Sequence, residues 1–354
     1  MNMGTLSRDD LCKLVRLGET IAHADLSGQN LVGIDLSGGV FEGVNFSGTR
    51  LDEADFRESI FIFCCFDDAV LSSARFNLAM LQKCRLKRVD LTRTQMSGAR
   101  IIESDLAGAD FSGADLRTAA ITHSLLDNTC FRNADLERTA IVESGTAGID
   151  FTGTLLKMTV LIKADLTSAK LAGCTFSTAI LIESNLSGLS LRGQDLTLTQ
   201  CVSADMSGCD FSGANLTQCN FKGANLRQAR LDGAIAHNAL FIEAKLHGSS
   251  FQRAQMMQSI FIDAEMVRAD FSGASMQQCI LKQANCTKAI FCNADLTYAD
   301  FTHSDLTGAN LSGATMFRAK LHGIKDTGAI FTDRSSALGE DPDLAEAENW
   351  RPRY

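Results

Sequence analysis

An all-β solenoid is the fold class this sequence predicts, and three observations predict it. A large apolar residue recurs at every fifth position for more than 300 residues without a slip of register. A small residue stands two places before most of these centres. The only prolines, Pro342 and Pro352, fall in the last fifteen residues, so the chain before them keeps every backbone N–H that a hydrogen-bonded ladder needs.

Stepping by five from Leu26 to Phe331 meets 62 positions, of which 57 are Leu, Phe, Ile or Met. The exceptions are Thr146, Cys201, Ala236, Cys286 and Asp326. Ala24, Ala54, Ser59 and Cys64 illustrate the small position; Asp or Asn often precedes the centre, and Ser or Thr often follows it. The cleanest copy is CDFSGANLTQCNFKGANLRQARLDGA, residues 209–234. A period of five matches neither the helical 3.6 nor the strand period of two. It fits a chain that turns a corner every five residues, with one large and one small side chain inward on each side.

Over roughly residues 24–333 this pattern resembles the pentapeptide-repeat family, whose consensus is A(D/N)LXX. The resemblance implies a right-handed quadrilateral β-helix with four pentapeptides to a coil. On that expectation the repeats make about 15.5 coils, and stacking at ~4.8 Å gives a rod of roughly 74 Å. Weak coils are expected at GTAGI (145–149), where Thr146 replaces a large residue, and at AIAHN (234–238), around Ala236.

Open ladder edges at the ends of a solenoid invite aggregation and call for caps. SRDDLCKLVRLG (7–18) predicts a short helix with Ser7 as N-cap, Leu11, Leu14 and Val15 on one face, and Gly18 as the stop. After the repeats, DPDLAEAENW predicts a turn or two of helix before RPRY. The expected organisation is an N-terminal helical cap at 1–22, the β-helix at 23–333 and a C-terminal tail or cap at 334–354.

The chain of 354 residues is 45% hydrophobic with a net charge of −9, which argues against a general nucleic-acid or anionic-membrane binder. No apolar signal region opens it, no run approaches 18 apolar residues, and Asn2 stands where a myristoylation signal needs Gly. A bacterial cytoplasmic location is the expectation. Cys64, Cys84, Cys174, Cys209, Cys219 and Cys279 fall at the small inward position, and Cys201 and Cys286 at the large one. They read as free core thiols, although Cys64 and Cys84, twenty apart, would stack in adjacent coils. The six histidines, His23, His123, His237, His247, His303 and His322, form no metal motif and read as surface residues. Aspartates such as Asp110 and Asp115 lie on successive sides and do not converge. No catalytic residue, metal site or cofactor is expected, and a solenoid filled by its own side chains offers no catalytic cleft.

The four faces differ. TAILIESNL (178–186) sets Ile180 and Ile182 on either side of the buried centre Leu181. On the face whose centres run from Phe61 by twenties to Leu281, fifteen of the 24 flanking positions are Val, Ile, Leu or Met. They are Ile60, Ile62, Met80, Ile102, Val142, Val160, Ile162, Ile180, Ile182, Val202, Leu240, Ile242, Ile260, Ile262 and Ile280. The other three faces have two, two and three such residues among 24. Twelve rungs of this stripe amount to roughly 550 Å², at the top of what monomers expose. An N-terminal helix of about 11 residues spans only ~16 Å and cannot cover it. A protein interface is expected here, with a homodimer its simplest form.

The non-enzymatic function expected is therefore a scaffold or adaptor for protein partners, with no nucleic acid and no membrane span. The lead-in at residues 6–38 resembles that of pentapeptide segments near bacterial type VI secretion genes, which implies an adaptor or accessory role. Family members that mimic DNA and bind gyrase or topoisomerase, conferring quinolone resistance, supply the alternative. Duplex DNA carries about one charge per 1.7 Å, so ~74 Å would need on the order of 44 negative charges. The net charge of −9 falls far short of that.

Overall fold

The computed structural model describes residues 6–350. Residues 1–5 of the expected N-terminal cap and RPRY of the tail lie outside the described residues. The chain divides into two compact units, Met1–Ser184 and Asn185–Tyr354, and each is a parallel β-solenoid with a twenty-residue coil.

The first unit opens with α1 (Arg8–Arg16). Ser7 caps it through a capping box with Asp10, which satisfies two otherwise orphaned N–H groups. Gly18, at φ 71°, ends it: Glu19 N–H donates to Leu14 O at 3.0 Å and Gly18 N–H to Val15 O at 2.9 Å. That left-handed turn suits a residue without Cβ. Leu11 is fully buried, while Leu14 and Val15 are half-buried. Arg8 and Cys12 reach the carbonyls of Val32 and Asp35, so α1 lies against the start of the solenoid.

Eight three-residue strands follow at intervals of twenty: β1 (Thr20–Ala22), β2 (Val40–Glu42), β3 (Ile60–Ile62), β4 (Met80–Gln82), β5 (Arg100–Ile102), β6 (Ala120–Thr122), β7 (Ala140–Val142) and β8 (Val160–Ile162). They form one parallel sheet in sequence order, each residue pairing with the one twenty further on. The ladder thus starts at Thr20, inside the segment 1–22 expected as a cap, with Ile21 as a buried centre one pentapeptide before Leu26. The other sides pair through single bridges in the same register, as at Asp25↔Asn45 and Asp110↔Cys130. In the second unit every side pairs this way, apart from β9 (Asn310–Leu311) and β10 (Ile330–Phe331). Each rung bonds both ways: Asn45 N–H donates to Ala24 O while Asn45 O accepts from Leu26 N–H.

The centres fill the interior. Phe41, Phe46, Phe56, Phe61, Phe66 and Phe76 are fully buried or nearly so. Phenylalanines one coil apart stack, Phe46 on Phe66 at 4.6 Å and Phe241 on Phe261 at 4.8 Å, whereas neighbours within a coil meet edge to face, as Phe41 and Phe46 do at 69°. At the two coils expected to be weak, both substitutes are buried. Thr146 Oγ1 donates to Asp165 O at 2.8 Å, and Ala236 is 1% exposed. The core ends near Leu321: Asp326 is half-buried and pairs with Arg334, which also lies over the half-buried ring of Phe331.

Buried hydroxyls at the small position are satisfied along the stack. Thr49 Oγ1 donates to Leu26 O, Thr139 to Leu116 O, Ser184 to Leu161 O and Ser259 to Ala236 O, each a carbonyl 23 residues earlier. Buried thiols use the same contact, with Cys219 Sγ at 2.8 Å from Leu196 O. Cysteine here is more than an enlarged alanine, because its S–H replaces the hydroxyl donor.

Corners lie two residues after the centres, nearly all of them in the left-handed region. Glycine adopts this freely, but Thr118 at φ 58° and Thr178 at φ 61° are β-branched residues held there by the ladder. In the tail, Leu338 N–H donates to Ala319 O and Leu338 O accepts from Leu321 N–H, adding a last partial rung. α2 (Pro342–Asn349) follows, capped by Asp341 and begun by Pro342, a residue suited to the first helical position.

Phe241→Ala should destabilise the protein by about 3–5 kcal/mol, read as a lower urea midpoint. Thr118→Gly should raise that midpoint, because glycine removes a left-handed penalty of roughly 1 kcal/mol.

Candidate functional site

On this scaffold the side chains just before and just after each centre point outward, as do those at the corners, where Phe63 and Leu78 are exposed. In the first unit the apolar face coincides with the eight-stranded sheet. Ile60 and Ile62 are the ends of β3, Met80 begins β4, Ile102 ends β5, Val142 ends β7, and Val160 and Ile162 are the ends of β8. Ile180 continues the row by pairing with Val160, and Ile182 stands two residues on. All nine are half-buried. Ile and Val suit the extended backbone of this side.

In the second unit the same register has Val202, Leu240, Ile242, Ile260, Ile262 and Ile280 outward and half-buried. Here the side has single bridges and no regular strand, as at Leu240↔Ile260 and Ile260↔Ile280. Extended-strand propensity therefore leaves the second row unexplained. The row is broken at Asn220, whose amide donates to Gln200 Oε1, and at Lys222, which faces Glu243. Beyond Ile280 the side turns polar. Asp300 lies 3.4 Å from Lys282 and 3.8 Å from Lys320, and it accepts from Thr302. The tail folds over that polar end, enclosing a cleft of about 160 Å³ whose lining includes Asp300, Lys320, His322, Leu338 and Leu344.

Four-sided coils, a five-residue inward period and a register of twenty match one family description. The model for Pentapeptide repeats (8 copies) matches segments 22–57, 64–106, 94–138, 147–181, 159–197, 181–213, 209–248, 239–278, 269–308 and 294–333. The chain belongs to the pentapeptide-repeat family. Among solved structures, HetL, a pentapeptide repeat protein involved in heterocyst differentiation regulation from the cyanobacterium Nostoc sp. strain PCC 7120, is 28% identical; the match covers 68% of this chain and 88% of HetL with a TM-score of 0.33. A trypsin-treated form of QnrB1, a plasmid-mediated fluoroquinolone resistance protein, is 24% identical over 51% of this chain and 89% of its own, with a TM-score of 0.34. A pentapeptide repeat protein from the Arabidopsis thaliana thylakoid lumen is 30% identical over 35% of this chain and 69% of its own, with a TM-score of 0.19. No curated protein matches by sequence.

The polar faces of this pentapeptide-repeat protein explain the Asp–centre–Ser order of the repeat. Asp110 Oδ1 accepts from the N–H and the hydroxyl of Ser112, and Asp270 accepts from Ser272 in the same way. The carboxylate thereby closes the turn that follows the centre. Arginines and lysines of the same and adjacent coils then pair with these carboxylates. Asp55 meets Arg57 and Arg75, Asp150 meets Arg132 and Lys170, and Asp210 meets Arg192. Such interleaving breaks up the rows of like charge that a DNA-like surface requires.

All twelve cysteines are free, and the eight at core positions are buried. Burial pushes the Cys174, Cys209, Cys219 and Cys279 thiols up to about 12, so they stay neutral. The histidines depart from the surface reading at one place. His322 is 3% exposed, because the tail folds over it: Asp341 N–H donates to its Nδ1 at 3.1 Å and Glu348 lies at its Nε2. Among the described residues no helix is long and apolar enough to cross a membrane.

The turn carboxylates give a pH dependence with a definite sign. Burial opposes ionisation of Asp150, but Thr152, Arg132 and the Arg132 charge outweigh it and pull its pKa to about 2. Burial likewise opposes ionisation of Asp210, and Ser212 with Arg192 brings it to about 2. A lowered carboxylate contributes stability that is present above its unfolded value of about 3.9 and lost as pH falls through the folded value. Urea midpoints should therefore hold from pH 7 to about 5 and drop between pH 4 and 2. Asp150→Asn/Asp210→Asn should be less stable at pH 7 and show a shallower acid drop.

Proposed function

We propose that this pentapeptide-repeat protein is a non-enzymatic scaffold or adaptor that binds protein along its apolar face, with a second copy of the chain as its simplest partner. The observation that carries this reading is the row of Leu240, Ile242, Ile260, Ile262 and Ile280 on a side without regular strands. Strand propensity accounts for the first unit's row but not for this one, whereas an interface accounts for both. In the first unit seven rungs at ~4.8 Å and about 10 Å wide form a stripe of about 340 Å², the scale at which an exposed patch marks an interaction site. Polar faces on either side would supply the rim that interfaces use.

A reducing bacterial cytoplasm suits the free thiols. An accessory role in type VI secretion is a setting in keeping with the lead-in at residues 6–38. A DNA-mimic role against gyrase is disfavoured by the ion-paired aspartates and by the apolar row.

Light scattering should give a dimer mass for the wild type and a monomer mass for Ile182→Glu/Ile262→Glu, with unchanged circular dichroism. A monomeric wild type whose protein captures from its host are all retained by the double variant would sink the proposal. Potent inhibition of DNA supercoiling would instead favour the DNA-mimic role.

A further inference from the structure

The tail of the second unit gathers three groups that are far apart in sequence. His303 sits at a corner of one coil, His322 follows the buried centre Leu321 on the next, and Glu348 projects from α2. The two imidazoles meet edge to face with centroids 5.3 Å apart. Glu348 spans them, with Oε1 2.8 Å from His303 Nε2 and Oε2 3.3 Å from His322 Nε2. One ligand atom from each residue lies within 4.8 Å of the other two. We propose that His303, His322 and Glu348 bind a divalent transition-metal ion of the zinc type, and that the ion pins α2 to the last coils.

The donor set selects the ion. Two imidazoles and one carboxylate suit zinc and its neighbours, whereas calcium and magnesium take oxygen ligands. Tetrahedral ligands at about 2.0–2.2 Å from zinc stand roughly 3.3 Å from one another, so small side-chain rotations complete the site and leave a fourth position for water. His322 supplies the rigid half, since its side chain is only 4% exposed. Glu348 and His303, each 39% exposed, supply the accessible half through which an ion enters.

A second layer of contacts fits the same purpose. As the ring stands, Asp341 N–H donates to His322 Nδ1, which puts the ring proton on Nε2, facing Glu348. On metal binding the Nε2 lone pair goes to the ion and the ring proton moves to Nδ1. Glu340 Oε1, 3.3 Å from Nδ1, is placed to accept a hydrogen bond from that N–H, which replaces the bond from Asp341 N–H. A carboxylate behind a metal-bound imidazole fixes the tautomer and strengthens the ligand.

The test uses the untagged full chain, stripped with a chelator and titrated with Zn²⁺ by calorimetry, with Co²⁺ absorption as a report on tetrahedral geometry. Wild type should bind one more equivalent than Glu348→Gln or His322→Gln, or bind that equivalent roughly tenfold more tightly or better. His247→Ala, in the same unit but away from the site, should match wild type, which shows that loss of a histidine elsewhere does not remove the ion; Glu348→Gln keeps every thiol, so the difference from wild type excludes adventitious binding to them. Zinc should also slow amide exchange across residues 342–349 in wild type and not in Glu348→Gln. Glu348 is on the outer helix, so its loss leaves the solenoid folded by circular dichroism. Equal zinc isotherms for wild type and Glu348→Gln, or zinc binding without protection of α2, would overturn the proposal.

Discussion

Everything in this protein depends on one repeated backbone contact: the N–H of a residue on one coil bonded to the carbonyl on the coil beside it, in a register of twenty. With that register fixed, a residue's position modulo five decides whether it points inward. Its position modulo twenty decides which side of the coil it occupies. The inward column of Phe46 and Phe66 stacks because the ladder puts like residues one above another. The same alignment lets Thr139 and Ser259 bond carbonyls 23 residues earlier and removes the cost of burying their hydroxyls. It also holds Thr118 and Thr178 in a corner conformation they would not adopt alone.

The outward surface follows from two ways of using the residues around a centre. On three sides an Asp or Asn closes the next turn by accepting from the residue two further on, and basic residues of nearby coils pair with it. On the fourth side of the first unit the backbone stays extended through three residues, and aliphatic side chains replace the turn-closing pair. The second unit keeps aliphatic residues on that side without the regular strands. That mismatch between surface chemistry and local backbone separates a demand of the fold from a demand placed on the surface.

Both ends are closed by segments that answer the ladder's unpaired groups. α1 sends Arg8 and Cys12 to carbonyls near the first coil. The tail adds Leu338 as a partial rung and then turns back through α2. Because α2 settles over the polar end of the fourth side, it buries His322 and brings Glu348 to two imidazoles from successive coils.

The sequence by itself determined the solenoid, the inward residues and the helix at Ser7–Gly18, because a period of five kept at 57 of 62 positions fits a chain that turns a corner every five residues; four such sides to a coil, and with them the apolar side, followed from the resemblance to the pentapeptide-repeat family. Even the Asp–centre–Ser order was visible there, though its reason was not. Only the tertiary structure decided the rest. It showed that the apolar side carries strands in one unit and single bridges in the other, a difference in backbone geometry that side-chain pattern does not encode. It showed that buried cysteines such as Cys209, Cys219 and Cys279 donate to carbonyls of the preceding coil, a contact spanning 23 residues. It also assembled His303, His322 and Glu348, which share no local motif; their meeting depends on the path of a tail that lies outside the repeat.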